Sequence, residues 1–195
     1  YETRYRYTPS GKREEILYGD GRRAQYHYDA AGNLTGVEDW NGTTTFINDA
    51  LGRVVQTIYP GGESVSCRYG RRGERTGLVY PDGTEAEYRY GKGQRLEELL
   101  SRTGEGAQES IRYRYDEKGR LAEKELPNGV HTFYCHTKAG QLESMESKIE
   151  GKLLEKIRMS YDCMGNRIGI ERFREGMSEE SGKEEYLYDI LGRLK

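Results

Sequence analysis

A short motif, Tyr-Asp-x-x-Gly followed by Arg or Asn and often Leu, recurs along the 195 residues of the chain and constrains its fold more than any other feature. Successive copies are 20 to 27 residues apart, and the spacing is nearly constant over the first five. Such spacing is typical of a repeat protein, in which each copy is one supersecondary unit that packs on its neighbours. Counting weaker copies, we place the motif glycine at Gly11, Gly32, Gly52, Gly73, Gly93, Gly119, Gly140, Gly165 and Gly192.

The Asp-x-x-Gly part of the motif predicts a tight turn. Type I turns favour Asp at the first position and Gly at the fourth. The Asp side chain can accept hydrogen bonds from backbone N–H groups just ahead of it, and glycine adopts the left-handed conformation without a Cβ clash. We therefore expect positive φ at most motif glycines and a structural role for the motif. Its clearest members are Tyr28, Asp29, Gly32, Asp49, Gly52, Tyr115, Asp116, Gly119, Tyr161, Asp162, Gly165, Tyr188, Asp189 and Gly192.

A second turn signal lies midway between the motif glycines. Asn-Gly and Asp-Gly pairs between strand-like runs predict two-residue hairpins of type I′, in which both central residues need positive φ. The pairs are Asp20-Gly21, Asn41-Gly42, Gly61-Gly62, Asp82-Gly83 and Asn128-Gly129. In the longer repeats we expect polar loops instead, over residues 101–110, 146–155 and 175–184.

The segments between the turns predict β-strands. They are mostly six to eight residues long, and runs such as Tyr26-His27-Tyr28 place two tyrosines on one face with His27 on the other. We read the two most helix-like segments, 94–102 and 152–158, as strands as well. Two strands per repeat give an all-β antiparallel meander of roughly seventeen strands. Because only 34% of residues are hydrophobic, we expect a curved single-layer sheet rather than a sandwich.

The recurring sequence Tyr-Asp-x-x-Gly-Arg-Leu, as at 115–121 and 188–194, resembles the YD-repeat or RHS-repeat family. This family includes bacterial Rhs and wall-associated proteins, the shells of insecticidal toxin complexes, and the animal teneurins. The resemblance implies a β-ribbon that spirals into a hollow shell, which in bacterial relatives encloses a C-terminal toxin domain and helps to deliver it. It also implies secretion or exposure at the bacterial cell surface and, in some members, contact with carbohydrate.

The repeats run over residues 1–195, and the chain begins and stops inside a copy. We therefore expect one array of about nine repeats from a longer protein, with the rest of that chain, including shell and possible toxin domain, as partner. No signal peptide is visible, and the Asp-Pro dipeptide of the autoprotease that closes many bacterial shells is absent. Terminal strands that have lost a neighbour favour edge-to-edge self-association.

Charge and hydropathy exclude several classes of function. The 31 Lys and Arg residues nearly balance 33 Asp and Glu, which gives no support for nucleic-acid binding. No run approaches the roughly eighteen apolar residues of a membrane span. The most basic stretch, which holds Arg68, Arg71, Arg72 and Arg75, is interpreted as a solvated turn with charged flanks.

No catalytic, cofactor-binding or metal site is assigned. A metal hypothesis could rest on His131, Cys135, His136 and Cys163. Cys135 and His136, however, are adjacent in a strand, so their side chains point to opposite faces. The spacing of the four residues also matches no established zinc pattern. Neither Gly-x-Ser-x-Gly nor His-Glu-x-x-His occurs. We expect a protein that is not an enzyme and needs no cofactor.

Two function classes remain open, a structural segment of shell wall and a carbohydrate-binding module. The single tryptophan, Trp40, stands beside the Asn41-Gly42 tip and is the candidate sugar contact. A tryptophan in such a loop can equally pack on a neighbouring aromatic side chain.

Overall fold

The computed structural model describes residues 2–104 and 106–195. Over these residues it contains seventeen β-strands and two short 3-10 helices, Lys92–Gln94 and Ser178–Glu180. The first nine strands are β1 Arg4–Tyr7, β2 Arg13–Leu17, β3 Arg23–Tyr28, β4 Leu34–Asp39, β5 Gly42–Asn48, β6 Val54–Ile58, β7 Ser64–Tyr69, β8 Arg75–Val79 and β9 Glu85–Tyr90. The remaining strands are β10 Leu96–Arg102, β11 Gln108–Tyr115, β12 Leu121–Glu125, β13 Val130–His136, β14 Leu142–Ile149, β15 Lys152–Tyr161, β16 Arg167–Arg174 and β17 Gly182–Glu185.

From β1 to β9 and from β11 to β17, each strand pairs antiparallel with the next strand along the chain, so the topology is a meander. This confirms the predicted all-β class and the strand count. The segment 152–158 lies in β15, as predicted, and residues 96–102 of the other helix-like segment lie in β10, but Gln94 ends a 3-10 helix. Within the described ranges, no helix combines the length and apolar character needed to cross a bilayer.

The chain divides into two compact units. The first comprises the described residues of Tyr1–Tyr88 and Ser101–Gln108, and the second comprises Arg89–Leu100 and Glu109–Lys195. Each unit is built from the same alternation of strand, hairpin tip, strand and motif turn.

Most hairpin tips share one backbone geometry with the motif turns, whereas Asp39 pairs with Gly42 across a two-residue connection, Trp40-Asn41. In the tip at 18–22, the Gly21 N–H donates to the Tyr18 carbonyl and the Tyr18 N–H donates to the Arg22 carbonyl, both at 2.9 Å. The motif turn at 29–33 repeats this pattern with Gly32 and Asp29. Each is a type I turn closed by a left-handed glycine, the usual three-residue hairpin connection.

The type I′ prediction is therefore wrong at the tips. Among the described residues, the non-glycine positions with positive φ are Gln94 and Glu150, so Asp20, Asp82 and Asn128 keep negative φ. At these tips only the glycine takes the left-handed conformation, because in a three-residue loop the third residue has positive φ and the second does not.

The expected polar loop over 146–155 is also wrong. Strands β14 and β15 continue through it to a two-residue connection at Glu150-Gly151, where both φ values are positive, 49° and 79°. This is the type I′ geometry that the shorter tips lack. At 101–110 the strands likewise run on, and the connection shrinks to residues 103–107.

One assigned motif glycine is shifted by one residue. The Gln94 N–H donates to the Gly91 carbonyl, and the Gly91 N–H donates to the Arg95 carbonyl. Gln94, with φ 59°, thus occupies the fourth turn position that Gly93 was assigned. The copy is full length and reads Tyr90-Gly91-Lys92-Gly93-Gln94-Arg95-Leu96. At the other eight assigned positions, the motif glycine has positive φ, as predicted.

A β-bulge precedes the motif turn in repeat after repeat. His27 pairs with Gly36 but Tyr28 pairs with Leu34, so Thr35 is the extra residue. The same shift occurs at Tyr69 and Tyr115. A bulge re-aims side chains and increases local twist. In these repeats it falls beside the motif tyrosine, and at Asn48 and His136 it falls beside the residue that takes the place of the tyrosine.

Little of the chain is buried. Among the described residues, the buried apolar side chains are Ile16, Ala24, Leu78, Ala86 and Leu100. They meet in cross-strand pairs such as Ile16 with Ala24. In β3 the tyrosines are half-buried and His27 is exposed, as the alternation predicts. The accessible surface, 13616 Å², exceeds the about 9,400 Å² of a globular protein of this mass, as expected for a single layer.

Candidate functional site

The motif turns form the most regular polar feature of the molecule, and each turn position has its own set of hydrogen bonds. The first position accepts hydrogen bonds from the backbone ahead of it. Asp49 Oδ1 accepts from the Leu51 and Arg53 N–H groups at 2.9 and 3.0 Å, and Asp116 Oδ1 accepts from the Arg120 N–H at 2.9 Å. In two turns a threonine does the same, Thr8 for Lys12 and Thr137 for Gln141. Each of these side chains therefore binds the backbone of its own turn.

The residue after the motif glycine is bound to the same aspartate by its side chain. Arg53 Nε donates to Asp49 Oδ2 at 2.7 Å, and Arg120 Nε donates to Asp116 Oδ2 at 2.7 Å. Asn33 and Asn166 donate to Asp29 and Asp162 in the same way. These hydrogen bonds favour the ionised carboxylate.

All five motif aspartates consequently have lowered pKa values. The leading cause is the side-chain hydrogen bond from Asn33, Arg53 or Asn166 at Asp29, Asp49 and Asp162. At Asp116 and Asp189 it is the backbone N–H of Arg120 or Arg193. A lowered pKa keeps a carboxylate charged at neutral pH, which opposes use of these groups as general acids.

The same post-glycine residue also reaches forward to the next motif turn. Arg53 donates to the Gly70 carbonyl at 3.3 Å and Arg120 to the Thr137 carbonyl at 3.1 Å. Gln141 donates to the Gly165 carbonyl at 3.1 Å, and Lys12 hydrogen-bonds to the Gly32 carbonyl. Hydrogen bonds therefore join successive motif turns at one end of the strands in each unit.

The motif tyrosine forms the reverse tie, to the strand that follows the preceding motif turn. Its hydroxyl donates to a backbone carbonyl at 2.8 to 3.0 Å in five copies: Tyr28 to Arg13, Tyr69 to Val54, Tyr115 to Leu96, Tyr161 to Leu142 and Tyr188 to Arg167. Where Asn48 replaces tyrosine, its amide donates to the Leu34 carbonyl at 2.9 Å. Burial raises the pKa of Tyr69 and Tyr115, which preserves the hydroxyl as a donor.

A cation covers the motif tyrosine in several repeats. Arg53 lies 4.8 Å from the centre of the Tyr69 ring, Lys12 lies 5.3 Å from that of Tyr28, and Arg95 lies 5.8 Å from that of Tyr115. One post-glycine side chain therefore meets its own turn, the next turn and the next tyrosine. The recurrence of Arg or Asn after the glycine is visible in the sequence, but the contacts that this side chain makes with the next turn are not.

Two turns place glycine where the others have aspartate or threonine. A Cβ on Gly70 would overlap the carboxylate of Glu74, and a Cβ on Gly91 would overlap that of Glu97. Glu74 accepts a hydrogen bond from the Arg72 N–H at 3.0 Å, as Asp49 does from Leu51. A glutamate from further along the chain thus fills the space of the missing aspartate.

Trp40, the candidate sugar contact, is half exposed, at 50%. The Arg22 guanidinium lies 4.5 Å from the centre of its ring, and Tyr18 meets it edge-on at 5.6 Å. One face of the ring is therefore occupied by an arginine of the preceding tip, which agrees with the packing alternative raised from the sequence.

The residues of the metal hypothesis do not converge. Among the described residues, no group of three or more His, Cys, Asp or Glu side chains is arranged to hold a metal ion. Cys135 pairs across the sheet with Ser144, and His136 with Leu142. His131 instead hydrogen-bonds to Glu123 through Nδ1 at 2.8 Å. The three cysteines are free thiols.

The second unit has an open concavity of about 570 Å³ on one sheet face. A cross-strand row of Cys135, Ser144, Arg158, Glu171 and Lys183 lines it. In the described part of the chain, no hydrogen bond joins Cys135, Ser144 or Ser160 to a histidine or carboxylate, so the lining shows no nucleophile held by a base.

Comparison with known proteins agrees with this architecture. The family model described as RHS Repeat matches residues 14–44. No curated protein matches the chain. Among solved structures, TcdB2-TccC3-TEV has a TM-score of 0.75 at 14% identity over 98% of this chain, and TcdB2-TccC3 has 0.73 at 15% over 98%. A Tc holotoxin pore structure from Photorhabdus luminescens gives 0.72 at 15% over 98%.

The likeness to these structures concerns the fold. This chain spans only 12 to 13% of the solved chains that it matches. The matched region nevertheless includes nearly every repeat, and the family match covers the tip and motif turn around Tyr28 and Gly32.

Proposed function

We propose that this chain is a non-catalytic structural segment of a shell wall of the YD/RHS-repeat type. One observation carries the proposal: the polar side chains of the motif bond to neighbouring motif turns and strands. Arg120, for example, is committed both to Asp116 and to the Thr137 carbonyl. A side chain held in this way serves the sheet rather than a substrate.

We further propose that the wall belongs to a longer secreted or surface-exposed bacterial protein and encloses its C-terminal region. Support comes from the fold shared with TcdB2-TccC3, of which this chain spans a small part. On this proposal, the partner of the segment is the remainder of its own chain.

Enclosure can be tested by protease protection of the full-length protein. The C-terminal region should survive protease while the wall is intact and be digested when Tyr115→Phe and Tyr161→Phe together remove two ties. Tyr113→Phe is the matched control, since no hydrogen bond of its hydroxyl exists among the described residues. Equal digestion of the C-terminal region in wild type and double variant would contradict enclosure.

A second proposal is carbohydrate contact at Trp40, which its 50% exposure at a hairpin tip favours. Titration of Trp40 fluorescence with an oligosaccharide series would show saturable quenching, and calorimetric titration of Trp40→Ala with the same series should show no binding. Because Arg22 already covers one ring face, Arg22→Ala should strengthen any such binding. An unchanged spectrum at saturating sugar would eliminate this function.

A further inference from the structure

Two pairs of loops lie at opposite ends of strands β6, β7 and β8 in the first unit. The tip pair consists of the loops at 59–63 and 80–84, and the turn pair consists of the loops at 49–53 and 70–74. Because both pairs are set by the same strands, their members have the same separation of two strands, about 10 Å. The side chains of one loop pair can therefore contact those of the other loop pair on a second copy of the chain, loop against loop.

The tip pair is acidic and aromatic. It contains Glu63 and Asp82 and no Lys or Arg. Tyr59 and Tyr80 are 45% and 41% exposed. Over the described ranges Glu63 forms no ion pair, and Asp82 accepts from the Thr84 N–H at 2.9 Å without a cationic partner. A concavity of about 470 Å³ is lined by Glu63 and Tyr80.

The turn pair is basic and apolar at its surface. Arg71 and Arg72 are exposed, and neither guanidinium has an ion pair within the described part of the chain. Asp49 is neutralised by Arg53 at 2.6 Å, and Glu74 is turned to the Arg72 N–H. Leu51, at the outer corner of its turn, is 76% exposed.

The molecule already contains an example of the contact that these surfaces would make. Arg22 of one tip lies over the Trp40 ring and is bound to Asp20 at 2.6 Å. Aromatic faces attract guanidinium groups, and a carboxylate adds a charged hydrogen bond. At Tyr80 and Glu63 the ring and the carboxylate are present and the arginine is missing.

We propose that the turn pair of one copy of this chain docks on the tip pair of a second copy. Arg71 and Arg72 then meet Glu63, Asp82 and the Tyr80 ring, while Leu51 meets Tyr59. The contact joins two different surfaces, so it is heterologous and can continue from copy to copy. It needs no free strand edge, and it does not depend on the shell function.

Sedimentation velocity on charge-reversed variants tests this docking. Glu63→Lys with Asp82→Lys makes both pairs basic, and Arg71→Glu with Arg72→Glu makes both acidic, so each variant alone should be monomeric. Mixed one to one, they should associate at least as strongly as wild type. Wild-type association should weaken at least about tenfold between 50 and 500 mM salt, because exposed charges are screened.

Glu38→Lys with Glu109→Lys is the matched control, since it changes the net charge equally at exposed strand positions that form no ion pair within the described residues. It should associate like wild type. Glu63→Lys alone is a second test of the docking, and it should weaken association. It removes one carboxylate of the tip pair and leaves the hydrogen bond of Asp82 to its turn intact. Wild-type protein that stays monomeric at high concentration and low salt, or a mixture that does not associate, overturns the proposal.

Discussion

At the scale of single residues, the motif is a set of backbone requirements and reciprocal bonds. Its glycine supplies a left-handed conformation, its aspartate fixes the turn, and its tyrosine hydroxyl binds the strand after the preceding motif turn. Substitution in natural copies follows these roles. Asn48 supplies the same donor as tyrosine, and Thr8 supplies an acceptor in place of aspartate.

Within the described residues, one motif turn is closed by a non-glycine residue, and it gives a direct test of the backbone requirement. Gln94 has φ 59° and Gly119, at the same turn position, has φ 80°. Left-handed conformation costs a side-chain-bearing residue roughly 1–2 kcal/mol. Gln94→Gly should therefore leave stability unchanged or raise it by up to about 1 kcal/mol, and Gly119→Ala should lower it by about 1 kcal/mol or more.

Urea unfolding of both variants would measure these changes. Gly119→Ala should lower the free energy of unfolding more than Gly11→Ala does. A Cβ at Gly119 also displaces Arg95, whereas nothing lies within 4 Å of one at Gly11. Gly61→Ala, where φ is not positive, is the control. An unaltered midpoint for Gly119→Ala would refute the assignment.

Two tyrosines of β11 allow the contribution of the hydroxyl hydrogen bond to stability to be measured apart from that of the aromatic ring. The Tyr115 hydroxyl donates to the Leu96 carbonyl at 2.8 Å. Tyr113 lies two residues earlier on the same strand, and its hydroxyl has no hydrogen bond within the described residues. Tyr115→Phe should cost about 0.5–1.5 kcal/mol, and Tyr113→Phe should cost close to nothing. Thermal unfolding of the two variants side by side checks this, and equal losses would contradict a specific tie.

At the scale of elements, the β14–β15 hairpin departs from the other hairpins. It has the long strands and the type I′ connection, and its face carries an ion cluster. Glu146 is bonded to Lys156, and Lys148 Nζ approaches its other oxygen at 3.0 Å. The lysines lower the pKa of Glu146 to about 2, and the hydrogen bond from Lys156 is the main cause.

This pKa predicts how the hairpin responds to acid. Because the folded pKa lies below the ordinary value near 4.3, the cluster stabilises the fold above that pH. Its contribution is lost as pH falls toward about 2. Lys156→Met should raise the pKa of Glu146 toward its ordinary value, because it removes the largest cause of the lowering. Carbon-detected NMR titration of the Glu146 carboxyl would measure both values, and a wild-type pKa above 4 would disprove the cluster.

At the scale of the whole molecule, stability is distributed along the repeats. The described part of the chain buries five apolar side chains, too few for a conventional core. Cross-strand pairs and inter-turn bonds of roughly 0.2–1 kcal/mol each recur in every repeat instead. Repeat proteins in general add stability from neighbour to neighbour in this way.

The same organisation predicts absence of catalysis by the whole chain. Its recurrent carboxylates are held ionised by turn N–H groups and by the post-glycine side chain. Broad hydrolase and nuclease screens of the purified protein should therefore show no turnover above buffer. Turnover that persists through purification and disappears with Cys135→Ala or Ser144→Ala would assign an activity to the concavity in the second unit.

The sequence by itself determined the local features of this protein. The Asp-x-x-Gly turns, the strand count and the alternation of Tyr26, His27 and Tyr28 follow from turn chemistry and a two-residue period, which act within a few positions. Tertiary structure decided what spans neighbouring hairpins. The ties from Lys12 to Gly32 and from Tyr115 to Leu96 join residues 20 and 19 positions apart. Strand register and the recurrent bulge bring these groups together, and neither is encoded in a single motif copy. The left-handed conformation of Gln94 and the position of Glu74 in place of an aspartate could not be predicted for the same reason. The hydrogen bonds across the turn determine which residue occupies each turn position.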